Sequence, residues 1–379
     1  RNIQTFVGEL PNSTRVEVTS DEIRTHSGSS IFLASMENWS SFLDNGIGHD
    51  SRRENSPRIY LSNLISNSIG MEKNVLWTKR EAIRALAERE WGAKVVSRKD
   101  ELRGREQRIP INRVCILSSI WQREDLTSAF LSHLNYLVEK IPEFEFKCIV
   151  VGSEGERSKK VVEKFGHHYV EERNNPLSKK WNAGLRKTKE MDPDVVIVLG
   201  SDDFLSPSTI RSLCESISEG RLMSGLMDMH ILDSKKEKMY HWNGYVMSNS
   251  LRRWETIGMA RCLSRRLLEK VDFSIWEEED IDKGLDGLMT RKLAKLGLIP
   301  IPYGEEVWLE IEGSLYAFGH SGKYSSEIDG FALDVKSGHN ITPIENYRIN
   351  EFEEVEDYLE VLKNKLGEGL ADEIIQVGE

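Results

Sequence analysis

The segment Asp194–Pro207 reads DVVIVLGSDDFLSP. Its first half is a run of aliphatic and β-branched residues, which is typical of a buried strand. The run ends abruptly at Gly200 and Ser201, and two adjacent aspartates, Asp202 and Asp203, follow. The pattern predicts a buried strand that delivers two carboxylates to its carboxyl-terminal end. Taken alone, the pair also suits an ordinary solvated turn, because Asp and Ser are common turn residues.

The residues around this segment alternate between strand and helix patterns. The predicted strands are Arg113–Ile120, Phe146–Ser153, His167–Glu172 and Asp194–Gly200, and the predicted helices are Glu156–Gly166, Leu177–Met191 and one that begins at about Pro207. Nearly continuous apolar strands between helices indicate an α/β fold, with a mostly parallel sheet flanked by helices. Ligands bind such sheets outside the carboxyl ends of the strands.

The two ends of the chain have a different character. Residues 1–108 are predicted to form a separate α+β or helical region of unassigned role, and the polar run Ser97–Arg108 is interpreted as its boundary. Within this region Thr78–Trp91 is predicted to be a helix. Residues 109–345 would form the α/β domain. Residues 346–379 are predicted to be an acidic, amphipathic C-terminal helix that packs on the body of the protein or on a partner.

The composition excludes some classes of protein. The 379 residues carry a net charge of −11, which argues against a protein that coats nucleic acid with its whole surface. No run of about 18 apolar residues is present, so no transmembrane helix is expected. The four cysteines form no CxxC pair and are interpreted as reduced, buried residues of a cytoplasmic protein.

Four segments carry a resemblance, which covers roughly half of the chain from Arg113 to about Leu296, to the GT-A glycosyltransferases of the family 2 type. They are CILSSIWQREDL (115–126), CIVVGSEGE (148–156), NNPLSKKWNAGL (174–185) and VVIVLGSDDFLSP (195–207). The resemblance implies a GT-A, Rossmann-like fold and the transfer of a sugar from a nucleotide-sugar donor. One position departs from the pattern. The family has Asp-x-Asp-Asp where this chain has Gly200 in the first place, which leaves the contacts to the donor sugar open.

The resemblance also implies a divalent cation, Mn²⁺ or Mg²⁺, bound by Asp202 with support from Asp203. General chemistry also supports a cation at these aspartates, because hard cations prefer carboxylate oxygens and can bridge the two phosphates of a leaving group. Some enzymes of this fold add a late histidine to the metal. His320 and His241 are the candidates here, although a lone histidine is more often structural.

The nucleotide pocket would be built from the ends of the other strands. Glu154 could accept a hydrogen bond from the edge of the base, and lysines at the start of the third helix would suit phosphate. The predicted nucleotide-binding residues are Ser118, Ile120, Arg123, Ser153, Glu154, Lys179, Asn182, Ser201 and Asp203. For Lys179 and its neighbour Lys180, a solvated helix face is an equally good interpretation.

An inverting transfer needs a general base that removes the proton of the acceptor hydroxyl. Asp286 is the predicted base, because its context matches that of the family. It lies at the start of a predicted helix with apolar residues on one face, five residues before Arg291. Leu285 stands where the family usually has Glu. Asp280 and Asp282, in an acidic run, are the rivals.

Aromatic residues precede this helix in the sequence. Trp242, Tyr245 and Trp254 are predicted to form a platform for an acceptor sugar or, alternatively, to be part of the core.

The sequence thus predicts a metal-dependent glycosyltransferase with a UDP-sugar as its default donor. The acceptor is left open between a saccharide, a lipid-linked sugar, a protein and a modified base in nucleic acid. A sugar-phosphate nucleotidyltransferase ranks lower, because SSIWQRED (118–125) lacks the glycine-rich loop of that class. The third alternative is a non-catalytic binding protein that retains the fold.

Overall fold

The computed structural model describes most of the chain after residue 76. The described residues are 6–10, 14–18, 23–25, 31–32, 77–245, 252, 254–276, 281–337, 340, 344, 347 and 352–377. Across these ranges, no helix has the length and apolar character that a membrane crossing requires. Cys115, Cys148, Cys214 and Cys262 are all buried and unpaired.

Ten α-helices lie in the described part of the chain. They are α1 (Lys79–Trp91), α2 (Arg98–Glu106), α3 (Glu124–Lys140), α4 (Glu156–Lys164), α5 (Leu177–Thr188), α6 (Pro207–Ser218), α7 (Arg265–Lys270), α8 (Leu285–Lys295), α9 (Tyr358–Leu366) and α10 (Glu368–Gln376). Short 3₁₀ turns follow α5 at Lys189–Met191 and precede the last long strand at Ser325–Ile328.

The strands of the same residues form several sheets. They are β1 (Phe6–Leu10), β2 (Thr14–Val18), β3 (Ile23–Thr25), β4 (Ile31–Phe32), β5 (Trp77–Thr78), β6 (Lys94–Val95), β7 (Arg113–Ser119), β8 (Glu145–Gly152), β9 (His168–Glu171), β10 (Val195–Val198), β11 (Asp203–Leu205), β12 (Met223–Leu226), β13 (Met229–Asp233), β14 (Lys238–Trp242), β15 (Arg261–Ser264), β16 (Val307–Ile311), β17 (Ser314–Phe318), β18 (Ser321–Lys323), β19 (Ala332–Lys336) and β20 (Glu353–Glu354).

The main sheet has seven strands in the order β18-β12-β15-β10-β7-β8-β9. Strands β10, β7, β8 and β9 are parallel to one another, and β15 is antiparallel to both of its neighbours. The four predicted strands are confirmed within two residues at each end. They are apolar on both faces because buried residues cover both sides of the sheet. The predicted α/β architecture with a mostly parallel sheet is therefore confirmed.

A second sheet of five strands packs beside the first, in the order β11-β19-β13-β14-β20. Strand β11 begins at Asp203 and pairs antiparallel with β19, so that Asp203 lies opposite Asp334. The sequence analysis did not predict this sheet. It matters for function because it joins the end of the Asp194–Pro207 segment to a strand about 130 residues later.

Helices that precede the predicted boundary at residue 108 share a core with the elements after it. Ile83, Leu86 and Ala87 of α1 are fully buried, as the apolar face of the predicted helix indicates. They belong to the same hydrophobic cluster as Leu293 of α8 and Phe318 of β17. The polar run Ser97–Arg108, interpreted as the boundary of the N-terminal region, contains α2, which Ser97 caps by accepting a hydrogen bond from the Asp100 amide at 3.2 Å.

The C-terminal extension is helical, as predicted, but it is not one helix. Two short helices, α9 and α10, meet at Gly367, where φ is +88°. A side chain would be strained in this left-handed backbone, so the glycine permits the break. Leu362, Leu366 and Ile374 are fully buried in the cluster that also contains Leu137 of α3. The extension therefore packs on the body of this chain.

Candidate active site

The ends of three neighbouring strands meet at the carboxyl edge of the main sheet. The turn after β7 is bound to the turn after β8, because the Gln122 amide donates to Oε2 of Glu154 at 2.9 Å. It is also bound to the turn after β10, because Nη1 of Arg123 lies 3.1 Å from Oδ2 of Asp202. Three predicted site residues from separate segments are thereby brought to one place.

The turn that carries Arg123 has an unusual backbone. Gln122 and Arg123 both adopt the left-handed conformation, with φ of +55° and +57°. Residues with a side chain rarely adopt it, and such strain tends to occur at functional sites. The conformation directs the guanidinium toward the end of β10, where Nη2 also donates to Oγ of Ser201 at 2.9 Å. Arg123 thus holds Ser201 and Asp202 together.

The glycine that departs from the family motif has a structural reason. A Cβ at Gly200 would lie 2.7 Å from Oδ2 of Asp203 and 2.8 Å from Oδ1 of Asp202. Both carboxylates fold back over this residue, and the Gly200 amide donates to Oδ2 of Asp203 at 2.7 Å. An aspartate in place of Gly200 would require the carboxylates of Asp202 and Asp203 to move from these positions.

Asp202 is the more accessible of the two aspartates, with about a fifth of its side chain exposed (20%). Its Oδ2 accepts a hydrogen bond from Nδ2 of Asn340 at 2.6 Å in addition to the contact with Arg123. Burial alone would raise the pKa of Asp202. The charges of Arg123 and Lys336 and the hydrogen bond from Asn340 outweigh burial and leave the pKa below its ordinary value.

Asp203 is only 9% exposed and lies against a second acidic residue, Asp334. Burial, together with the charges of Asp202 and Asp334, raises the pKa of Asp203 well above its ordinary value. Burial also raises the pKa of Asp334 to about 6, although the ammonium of Lys336 opposes the rise. Lys336 Nζ lies 2.5 Å from Oδ2 of Asp334. Asp334, Lys336 and Asn340 were all missed by the sequence analysis.

Neither candidate histidine joins Asp202 and Asp203 in a group of potential metal ligands. His320 is fully buried, its Nε2 hydrogen-bonds with Oγ1 of Thr256, and burial lowers its pKa to about 3. His241, the other candidate, is hydrogen-bonded to Oδ2 of Asp228 at 2.9 Å. Among the residues that the structure describes, no three His, Cys, Asp or Glu side chains are grouped so that they could hold a metal ion.

The two aspartates themselves fit a divalent cation poorly. Oδ2 of Asp203 is held by the Gly200 amide, and Oδ2 of Asp202 is held by Arg123 and Asn340. Each of these oxygens already accepts a hydrogen bond from the chain, and Arg123 would repel an incoming cation. These contacts occupy Oδ2 of both carboxylates and place a guanidinium beside Asp202, so this arrangement does not favour the predicted Mn²⁺ or Mg²⁺ ion.

The predicted nucleoside pocket retains two polar atoms that have no partner. Oγ of Ser118, on a fully buried residue, and Oγ of Ser153 are both buried without a hydrogen-bond partner. Unsatisfied buried hydroxyls are uncommon in proteins. They lie at the ends of β7 and β8, the strands whose following turns are joined through Glu154.

The structure assigns the role of the two lysines differently from the sequence. Lys179 is exposed on α5, whereas Lys180 is fully buried. Nζ of Lys180 donates to the carbonyl of Ile120 at 2.6 Å and to Oδ1 of Asn174 at 3.0 Å. Burial lowers the pKa of Lys180 to about 8. Lys180 therefore fixes the backbone that leads to Gln122 and Arg123.

Asn182 has a positioning role in the structure. Its Oδ1 accepts hydrogen bonds from the amides of Ile275 and Trp276, both at 3.1 Å, and its Nδ2 donates to the carbonyl of Trp276. The side chain is buried and binds α5 to the segment that precedes α8. The predicted contact of Asn182 with a nucleotide is not visible in these hydrogen bonds.

Asp286 lies in the first turn of α8, half-buried. Its carbonyl accepts a hydrogen bond from Nη1 of Arg261 at 2.9 Å. Arg261 belongs to β15 and lies opposite Val198, the last residue of β10. The start of α8 is thereby fixed beside β10, the strand whose following turn carries Asp202. The carboxylate rests on Gly258, where a Cβ would lie 2.4 Å from each of its oxygens.

Asp282, one of the two alternative candidates for the general base, has a structural role. Oδ1 of Asp282 accepts a hydrogen bond from the Leu177 amide at 2.9 Å. Asp282 therefore caps α5, for which the preceding Pro176 offers no side-chain hydrogen bond. Asp280 lies outside the described residues.

A buried ionic network supports the backbone next to Asp286. Oε1 of Glu255 accepts hydrogen bonds from Arg252 at 2.8 Å, Arg261 at 2.9 Å and Oγ1 of Thr290 at 2.7 Å. Although burial opposes it, the hydrogen bonds from Arg252 and the charges of both arginines lower the pKa of Glu255 to about 2. The guanidinium of Arg252 stacks on the ring of Tyr245 at 3.8 Å from the centroid.

Two of the three predicted platform residues belong to an aromatic cluster. The rings of Trp242 and Tyr245 are 5.0 Å apart, and Trp242 also contacts Tyr347 and Phe352 at 6.0 Å and 6.3 Å. Tyr347 in turn lies 5.4 Å from Nζ of Lys336. The cluster therefore extends from the carboxylate group to the Arg252–Tyr245 pair. Trp254 is half-buried in the turn that precedes Glu255.

Comparison with known proteins identifies several similar structures. The chain matches no protein-family model, and no curated protein sequence matches it. TarS 1-349 from S. aureus in complex with UDP is similar over 70% of each chain, at 17% identity and a TM-score of 0.35. The glucosyl-3-phosphoglycerate synthase of M. tuberculosis is similar over 66% of this chain and 79% of its own, at 11% identity and a TM-score of 0.36.

The mannosyltransferase PcManGT from Pyrobaculum calidifontis, in complex with GDP-Man and Mn²⁺, is a third similar structure. The similarity covers 50% of this chain and 57% of the mannosyltransferase, so this chain spans less than two thirds of its length, at 13% identity and a TM-score of 0.32. A glycosyltransferase is thus among the solved structures to which this chain is similar.

Proposed function

We propose that this chain is a glycosyltransferase that uses a nucleotide-sugar donor. One observation carries the proposal: the turns after β7, β8 and β10 are bonded to one another through Arg123, Glu154 and Asp202. Parallel α/β sheets bind ligands at this edge. Three of the four motifs that resemble the family provide these same turns, in the same order along the chain.

The chemistry of the turns suits a nucleoside diphosphate. The guanidinium of Arg123 is a planar donor of five N–H groups, two of which contact Asp202 and Ser201. Guanidinium groups bind phosphate well, so Arg123 is the group that we assign to the diphosphate. The unpartnered hydroxyls of Ser118 and Ser153 are assigned to the nucleoside. UDP is the proposed nucleotide, from the family resemblance.

Asp286 is the proposed general base of an inverting transfer. In that reaction the acceptor oxygen forms a bond to the anomeric carbon while the bond from that carbon to the phosphate oxygen breaks. The electron pair of the broken bond leaves with the diphosphate, and the acceptor proton moves to the Asp286 carboxylate. The location of α8 beside the end of β10 supports this role, as does the occupation of Asp282 by the cap of α5.

The acceptor is proposed to carry a hydroxyl group, and the four acceptor classes predicted from the sequence stay open. The aromatic cluster around Trp242 and Tyr245 lies between Lys336 and Arg252 and would suit the apolar face of a sugar ring. A cytoplasmic location stays a prediction from the reduced cysteines. The predicted metal is not included in this mechanism, because Arg123 and Asn340 occupy Oδ2 of Asp202.

Hydrolysis of nucleotide sugars tests the proposal. Many transferases slowly transfer their sugar to water, so a panel of UDP- and GDP-sugars should show release of UDP or GDP with the wild-type protein. Arg123→Ala, which removes the group assigned to the diphosphate, should abolish the release, whereas Asp329→Ala, at an exposed aspartate, should leave it unchanged. No nucleotide release and no change of melting temperature with any nucleotide would reject the proposal. Stabilisation by a nucleoside triphosphate together with a sugar 1-phosphate would favour a nucleotidyltransferase instead.

A further inference from the structure

Three carboxylates and two cations are packed together where β10 ends. Asp203 and Asp334 face each other across β11 and β19, and Asp202 precedes Asp203. Lys336 lies two residues after Asp334 and therefore on the same face of β19. Both residues are nearly inaccessible, with exposures of 5% for Lys336 and 6% for Asp334. We call these four residues with Arg123 the charge cluster.

The cations of the charge cluster contact the carboxylates directly. Arg123 Nη1 lies 3.1 Å from Oδ2 of Asp202, and Lys336 Nζ lies 2.5 Å from Oδ2 of Asp334. Asp203 accepts a hydrogen bond from the Gly200 amide instead. Oδ1 of Asp334 is buried and without a hydrogen-bond partner. In formal charges, the three carboxylates of the cluster contribute −3, and Arg123 and Lys336 contribute +2.

A divalent cation would find little here to bind. To bind Oδ2 of Asp202 it would have to displace Arg123 and Asn340, and it would lie close to two positive charges in a poorly hydrated place, where repulsion is strong. The two side chains supply the same total charge as one Mg²⁺ or Mn²⁺ ion. The two side chains also differ in solvent exposure: 15% of the Arg123 side chain is exposed, whereas Lys336 is buried.

We propose that Arg123 and Lys336 take the place of a divalent cation in this site, so that the chain binds a nucleoside diphosphate without added metal. Arg123 contacts the phosphates from the accessible side of the cluster. Lys336 neutralises the buried carboxylates, which would otherwise repel the diphosphate. The proposal rests on the proposed function, since it concerns how the donor of that reaction is held.

Calorimetric titration of the wild-type protein with UDP and GDP tests this directly, once in EDTA and once in Mn²⁺ at matched ionic strength. We expect at least one nucleotide to bind with affinities that agree within about threefold in the two solutions. Binding in Mn²⁺ but not in EDTA would overturn the proposal and leave the transferase function standing. If neither nucleotide binds in either solution, both proposals fail.

Substitution of Arg123 provides a second test, because this residue is partly accessible and its loss should be tolerated by the fold. Arg123→Gln should weaken nucleotide binding in EDTA by about 10-fold or more, since a charge-assisted hydrogen bond to phosphate is lost. Mn²⁺ should restore part of the affinity by binding to the exposed Asp202. Unchanged affinity in EDTA would overturn the proposal. Arg211→Gln, which removes a surface ion pair with Glu143, is the matched control.

The wild-type protein without nucleotide gives a third readout. Because Arg123 and Lys336 offset two of the three carboxylate charges, Mn²⁺ should leave the melting temperature unchanged relative to a sodium salt of the same ionic strength. Lys336→Met removes one of these charges, and Mn²⁺ should then raise the melting temperature. Lys365→Met, which removes an ion pair with the exposed Asp329, should show no such rise. Stabilisation of the wild type by Mn²⁺ as large as that of Lys336→Met would contradict the proposal.

Discussion

Lys336 Nζ lies 2.5 Å from Oδ2 of Asp334, and both residues are nearly inaccessible to solvent. A buried ion pair of this kind is costly to break from one side. Its energy of desolvation is large, and the loss of one partner leaves an uncompensated charge in the interior. The pair therefore affects stability and the electrostatics of the site together.

Lys336→Met should destabilise the protein by about 3–5 kcal/mol, because Asp334 would be left as an unpaired buried carboxylate. The double substitution Asp334→Asn with Lys336→Met should cost much less, since it removes both charges at similar volume. Urea unfolding at neutral pH measures the free energies. Lys365→Met, at a partly exposed ion pair, should cost less than about 1 kcal/mol. Equal losses for the single and the double variant would show that the pair is not coupled.

The architecture of the site could be predicted where its signals are local. The strands that became β7, β8 and β10 are runs of apolar residues, and each ends at small or polar residues that mark a turn. Arg123, Glu154 and Asp202 follow these runs directly. Since parallel strands place their carboxyl ends on one edge of the sheet, the convergence of these three residues followed from the pattern.

The second half of the site depends on pairing between distant segments, which periodicity does not report. Asn340 reaches Asp202 from 138 positions away, and Asp334 is brought to Asp203 by the β11–β19 ladder. A signal for β19 was present: in FALDVK (331–336) the apolar Leu333 and Val335 alternate with Asp334 and Lys336. The alternation predicts a strand but not its neighbour. His320 was misjudged because its partner, Thr256, also lies far away in sequence.

Asp286→Asn should lower kcat by about 10²–10⁴-fold, which is the usual contribution of a positioned general base. The affinity for UDP should be unchanged, because Asp286 is assigned to the acceptor and not to the nucleotide. Steady-state rates and calorimetric titration separate the two effects. Asp282→Asn should leave kcat nearly unchanged and cost little stability, because the amide oxygen of Asn can still accept the hydrogen bond from the Leu177 amide. A large loss of kcat in Asp282→Asn instead would move the role of base to that residue.

Gly258→Ala should lower kcat without a change of charge in the site. A Cβ at this position would lie 2.4 Å from both carboxylate oxygens of Asp286, a distance that real Cβ atoms do not show. The carboxylate would therefore move, and a general base depends on its distance to the proton. Gly287→Ala serves as the control. Gly287 lies in the same helix turn as Asp286, and a Cβ there would have its nearest neighbour at 3.5 Å. Equal rates in Gly258→Ala and the wild type would show that the position of Asp286 is not critical.

A buried histidine should make stability depend on pH. His133 is fully buried, its Nε2 lies 3.0 Å from the Leu205 amide in β11, and burial lowers its pKa to about 4. In the unfolded chain a histidine has a pKa of about 6.5, so the unfolded state takes up the proton first as the pH falls. The stability associated with neutral His133 is therefore complete above about pH 6.5 and is lost between there and pH 4.

The expected loss is about 1.4 kcal/mol per pH unit within that window for one histidine. His133→Gln preserves an acceptor for the Leu205 amide but does not titrate, so the dependence of its unfolding free energy on pH should be shallower by this amount. Urea unfolding at pH 7, 6 and 5 measures the slopes. His168→Gln, at an exposed position of β9, should keep the slope of the wild type. If His133→Gln keeps that slope too, His133 does not stay neutral in the folded protein.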